Sequence, residues 1–117
     1  LAAVSDERSA GHGSRMLGFL REACAEKGGI LIEAEDPAFA ADEADGEIRR
    51  RRIRFYDKNG SRDTGVRAVV FATEYVILHL GKELVRPEQI LREYETIYRM
   101  MVPEPHYSRN IRVSMEK

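Results

Sequence analysis

Residues 62–80 read RDTGVRAVVFATEYVILHL, a long run in which β-branched and aromatic residues favour extended chain. Val66, Val69, Val70, Phe71, Tyr75, Val76, Ile77 and Leu78 supply its apolar side chains, and a bend near Ala72–Thr73 would make it two antiparallel strands. Working outward, Ile48 to Asn59 reads as a helix that stops at Gly60, a residue suited to the left-handed turn after a helix. Asp36–Glu47, with Pro37, Gly46 and several acids, reads as an exposed loop, and Ile30–Glu35 as a short, partly buried strand. Further upstream, Met16, Leu17, Leu20, Ala23 and Cys24 recur at helical spacing between Ser14 and Lys27, before a stop at Gly28 and Gly29. Leu1–Val4 reads as the end of a strand. Downstream, Pro87 suits a first helical turn, and Ile90, Leu91, Tyr94, Ile97, Tyr98 and Met101 form an apolar stripe. The order is strand, helix, strand, helix, two strands, helix. It predicts an α/β or α+β fold, a sheet with covering helices.

A chain of 117 residues fits one domain. With 43% hydrophobic and 33% charged residues it has the composition of an ordinary globular domain. The net charge of -1 exerts no overall pull toward nucleic acid or anionic membrane. Cys24 is the one cysteine, so no internal disulfide forms, which fits a reducing cytoplasm. No apolar run approaches the roughly 20 residues needed to span a bilayer, and no signal peptide is evident. The chain begins with Leu1 rather than methionine, which suggests removal of a segment or an incomplete sequence.

The constellation Arg8-Ser9-Ala10-Gly11-His12-Gly13-Ser14 lies between the first strand and the first helix. Glycines let a backbone approach a ligand closely, and the free N–H groups of a helix start attract an anion. Together these suit a pyrophosphate cradle, although G-x-G alone is equally a flexible turn. In this placement the segment resembles the acetyl-CoA loop of the GNAT superfamily of N-acetyltransferases, which reads Q/R-x-x-G-x-G/A between the fourth strand and third helix. Arg8, Gly11 and Gly13 match its fixed positions. Ala10 and His12 depart from the residues usual there, and Val4 to Arg8 is one residue shorter.

A second segment, Phe55-Tyr56-Asp57-Lys58-Asn59-Gly60, resembles the superfamily's aromatic-Tyr-x-x-x-Gly helix end. Phe55 is expected to pack inward, with Tyr56 about 100° around the helix. The resemblance implies that Tyr56 lies near the thioester sulfur and protonates the leaving thiolate; a phenol with a reference pKa of about 10 is protonated at neutral pH. Taken by itself, Tyr56 reads as an amphipathic core residue. Arg49 stands where many members place a coenzyme-contacting asparagine, and Ser61 replaces the usual phenylalanine after the glycine.

Glu33 and Glu35 alternate on their strand and so project to one face. The resemblance places this strand beside the substrate amine and makes Glu33 the better candidate for a general base, against a plain solvent-facing acid. Arg49–Arg52 and Arg54 form the most basic stretch, but on a helix they spread around the cylinder and read as a solvated face with local ion pairs. His12, His79 and His106 have no metal-ligand spacing, and no metal site is expected.

The resemblance thus implies the C-terminal half of a GNAT fold, a mixed, mostly antiparallel sheet covered by helices. The partial domain would span 1–101, with the motif-bearing core at 1–80, a C-terminal helix at 87–101 and a tail at 102–117. It implies acetyl transfer from acetyl-CoA to a primary amine, with Tyr56 and Glu33 catalytic. Val4, Arg8, Gly11, His12, Gly13, Ser14 and Arg49 would bind the coenzyme, main-chain amides near Val4 pairing with pantetheine. The superfamily's earlier strands are missing, so an exposed sheet edge and association of copies through it are expected. The alternatives are a non-catalytic coenzyme-binding or interaction module and, less favoured, a nucleic-acid-binding domain using the arginine helix. Partners are then an amine acceptor and no membrane, with nucleic acid not expected.

Overall fold

The computed structural model describes residues 2–5, 29–81 and 86–116. Five strands, β1 (Ala2–Ser5), β2 (Ile30–Glu35), β3 (Arg62–Val70), β4 (Thr73–Leu80) and β5 (Ile111–Met115), form one sheet in the order β1-β2-β4-β3-β5. The neighbours β2–β4, β4–β3 and β3–β5 are antiparallel, whereas β1 and β2 are parallel. The fold is the expected mixed, mostly antiparallel sheet with helices. Helix α1 (Glu43–Lys58) and helix α2 (Pro87–Met101) cover opposite faces, and a short helix α3 (His106–Asn110) leads into β5.

The two faces follow from the alternation of side chains along each strand. Ile30, Ile32 and Ala34 of β2 join Val76, Leu78 and Leu80 of β4 beneath Ile53, Phe55 and Tyr56 of α1. Leu31 and Ile77 point the other way, with Val66 and Ala68 of β3, and meet Ile90, Leu91, Tyr94 and Tyr98 of α2. Ile30, Leu31, Ile32, Ile77 and Leu78 are fully buried. A strand apolar on both sides belongs in the middle of a covered sheet, and β2 and β4 occupy that place.

Gly29, just before β2, has φ +105, and a Cβ there would meet the Leu80 carbonyl oxygen at 2.6 Å and His79 Nε2 at 2.8 Å. Glycine is required on both counts. The bend in the long β run falls at Phe71 and Ala72, both with positive φ (47° and 70°). This is the backbone that a tight hairpin demands, reached here without glycine.

Two expectations are corrected. Helix α1 starts within the stretch read as loop: Asp42 caps it, accepting from the Asp45 amide at 2.8 Å, and Glu43 and Asp45 occupy the first turn. Acidic residues there are favoured by the helix dipole, so the acids mark a helix start. Pro37–Phe39 ahead of it forms one 3-10 turn, capped by Asp36. The supposed tail at 102–117 contains α3 and β5. Ile111 pairs with Val70 and Met115 with Val66 along β3, and Tyr107 and Ile111 are buried. Alternation of Ile111, Val113 and Met115 with Arg112 and Ser114 is the strand signal, in a run too short to stand out.

Candidate functional site

Parallel neighbours cannot be joined by a tight turn and need a connection of a dozen or more residues. The β1–β2 ladder runs Ala2–Ile30, Ala3–Leu31, Val4–Ile32 and Ser5–Glu33. Both strands therefore point their carboxyl ends the same way, and Glu33 faces the last residue of β1. Beyond that pair β2 continues through Ala34 and Glu35. In open sheets with parallel strands, this end is where ligands are commonly held.

Glu33 is 7% exposed. The Tyr94 hydroxyl donates to its Oε2 at 2.7 Å, and the Tyr98 hydroxyl donates to the same oxygen. The two tyrosines stand one turn apart on α2, the i, i+4 spacing that stacks side chains on one face, with ring centroids 4.9 Å apart. A buried carboxylate needs such partners, because removal from water is expensive for an unpaired charge. Burial, together with the Glu33 charge, pushes the Tyr94 and Tyr98 phenols far above their ordinary range. Burial also raises Tyr75, with Glu33 and Glu35 adding to the effect. Glu33 thus accepts from two phenols, Tyr94 and Tyr98, that stay protonated.

Glu35 departs from its expected companionship with Glu33. It is the last residue of β2 and reaches α1, 3.1 Å from Arg49 and 3.5 Å from Arg52. Arg49, expected at the coenzyme, is likewise taken up inside the protein. Its Nη1 donates to the Asp36 carbonyl at 2.9 Å, and its side chain is 12% exposed. Its Nε is 3.1 Å from Asp45, an ion-pair distance without hydrogen-bond alignment. This guanidinium fastens α1 to the end of β2. Arg50 pairs with Glu43 and Glu47, and Arg54 with Glu47. Four of the five arginines of the basic stretch, Arg49, Arg50, Arg52 and Arg54, are thus paired with carboxylates of α1 or β2, and Arg51 is exposed.

Tyr56 ends α1 inside the apolar cluster, 7% exposed, and the less buried Phe55 packs beside it with ring centroids 5.4 Å apart. The expected inward residue was Phe55; the roll of the helix makes Tyr56 the deeper one. The helix end itself follows the sequence, with Ser61 and Asn59 amides donating to the Tyr56 carbonyl. Val4 is seen in the β1 backbone opposite Ile32. Arg8, Gly11, His12, Gly13 and Ser14 lie outside the described residues.

A groove of about 450 Å³ lies elsewhere, over the part of the sheet beyond α1, bordered by Phe39, Arg67, Val69, Glu74, Tyr75 and Arg112. Glu33 does not line it. Among the described residues no group of His, Cys, Asp and Glu is arranged to hold a metal ion, and no helix is long and apolar enough to cross a membrane. Sequence reasoning singled out Glu33 but missed its partners: Tyr94 and Tyr98 read as core or interface residues, and their i, i+4 spacing was the signal available.

No protein-family model, curated protein or solved structure matches this chain.

Proposed function

We propose that the chain is the coenzyme-binding part of a cytoplasmic N-acetyltransferase, moving an acetyl group from acetyl-CoA to a primary amine. One observation carries the reading. The parallel pairing of β1 with β2 sets Glu33 beside the carboxyl end of the strand from which the Arg8-x-x-Gly11-x-Gly13 segment continues. A phosphate-binding loop and a carboxylate at one end of a parallel pair suit the two halves of the reaction, holding the carrier and accepting the proton of the amine.

In this reading the main-chain amides of 8–14 hold the pyrophosphate, with Val4 of β1 pairing with the pantetheine arm. The amine nitrogen bonds to the acetyl carbon while its proton passes to Glu33. The C–S bond breaks, its electron pair leaves with sulfur, and solvent protonates the thiolate; Tyr56 lies in the α1 cluster, on the face of the sheet opposite Glu33, and has no part in this step. Proximity contributes much of the rate, because an unprotonated amine already reacts with a thioester once held against it. Arg49 has no part in the scheme, being committed to Glu35 and Asp36.

A second reading, a module that binds the coenzyme without turnover, is favoured by the depth of Tyr56 in the α1 cluster. Calorimetric titration with acetyl-CoA, followed by transfer of labelled acetyl to a polyamine, an amino acid and a peptide, tests both. Binding that is lost in Gly13→Asp supports either one. Transfer that drops at least tenfold in Glu33→Gln with binding retained selects the enzyme; no binding at all overturns both.

A further inference from the structure

The Glu33 contacts are uneven in a way that matters. Both phenols reach Oε2, so the other oxygen stands outside the pair of bonds they make. Tyr94 is fully buried and packs in the core with Ile90, whereas Tyr98 is half-buried. The donors thus come from one helix, a turn apart, and converge on a single carboxylate oxygen. A carboxylate held at a single oxygen by two donors has little freedom to rotate, so the direction of its remaining lone pairs is set by α2.

We propose that Tyr94 and Tyr98 are positioning residues for Glu33, fixing one carboxylate oxygen so that the other is aimed at the acceptor amine. This rests on the acetyl-transfer reading above. Among the described residues, the other charged and titratable groups near Glu33 are Tyr75 on β4 and Glu35 on β2, the latter held by Arg49 and Arg52 of α1. None of these is among the donors to Oε2, so α2 alone supplies the two phenol bonds.

The test uses Tyr98→Phe, which removes one half-buried hydroxyl, and Tyr94→Phe as the second variant, each checked for folding by circular dichroism. Two readouts are independent of each other. The first is the NMR signal of the phenol hydroxyl protons, which in strong hydrogen bonds to a carboxylate exchange slowly and resonate downfield. Each Phe variant deletes one signal, and Glu33→Gln moves those that remain upfield. The second is steady-state acetyl transfer: Tyr98→Phe lowers kcat roughly tenfold and leaves KM for acetyl-CoA unchanged.

Hydroxyl signals indifferent to Glu33→Gln overturn the proposal, as does a Tyr98→Phe enzyme with the parent's kcat. If the hydroxyl signals respond as expected but the parent acetylates no amine, it is the acetyl-transfer reading that fails, and the positioning role falls with it.

Discussion

The two faces of the sheet are covered by helices of similar length and held in opposite ways. Under α1, the strands present Ile30, Ile32, Ala34, Val76, Leu78 and Leu80, and the charges stay at the rim, where Arg49 and Arg52 meet Glu35. Under α2, the apolar cluster contains a carboxylate: Glu33 lies between residues whose neighbours are fully buried, and Tyr94 and Tyr98 come down onto it. Both arrangements grow from one strand, since alternate residues of β2 serve alternate faces. The apolar face is explained by burial alone. The other buries a charge together with its two phenol donors; apolar residues of the same shape replacing the whole set can be nearly neutral, so its presence calls for a reason beyond packing.

The largest effect should come from the apolar face. Ile32→Ala removes a fully buried side chain and is expected to lower stability by about 2–5 kcal/mol, read by urea denaturation. On the polar face, Glu33→Ala leaves two buried phenols without their acceptor and should lower it less, by about 1–3 kcal/mol. An effect of Glu33→Ala larger than that of Ile32→Ala would reverse the comparison and make the hydrogen-bonded clip the main attachment of α2.

The subtlest distinction is in pH. An unfolded tyrosine loses its proton near about pH 10, while Tyr94 and Tyr98 keep theirs in the folded protein, mainly through burial and secondarily through the Glu33 charge. Above that pH the unfolded chain binds fewer protons than the folded one, so stability falls as pH rises. Tyr98→Phe removes one contributor and should make the alkaline decline shallower. Ile32→Ala should leave the slope as it was, shifting the whole curve downward.

Much of this sheet was legible in the sequence because β-branched runs at 30–35 and 62–80 have few other uses. The helix after Pro87 was equally plain from its stripe. What escaped was information held in tertiary placement. The start of α1 was hidden because Asp42, Glu43 and Asp45 look like a solvated loop until the helix dipole and the arginines one or two turns later are counted together. β5 was hidden because five residues of alternation after two prolines resemble a frayed end until β3 offers its second edge. Glu33 was picked out by its position on the strand, yet its partners come from a helix 61 and 65 residues away along the chain. Nor does spacing alone decide which of the adjacent rings Phe55 and Tyr56 faces inward; that depends on how the helix is rolled against the sheet.

The sheet's two margins are unlike. On β5 the outermost strand carries exposed Arg112 and Ser114 and is followed by exposed Glu116, a margin that repels the flat approach of another backbone. At the opposite margin β1 is a short run of Ala2, Ala3, Val4 and Ser5. Along β5, a second backbone would therefore meet charge and a hydroxyl rather than a flat apolar strand. A margin guarded in this way makes a poor template for a growing fibre.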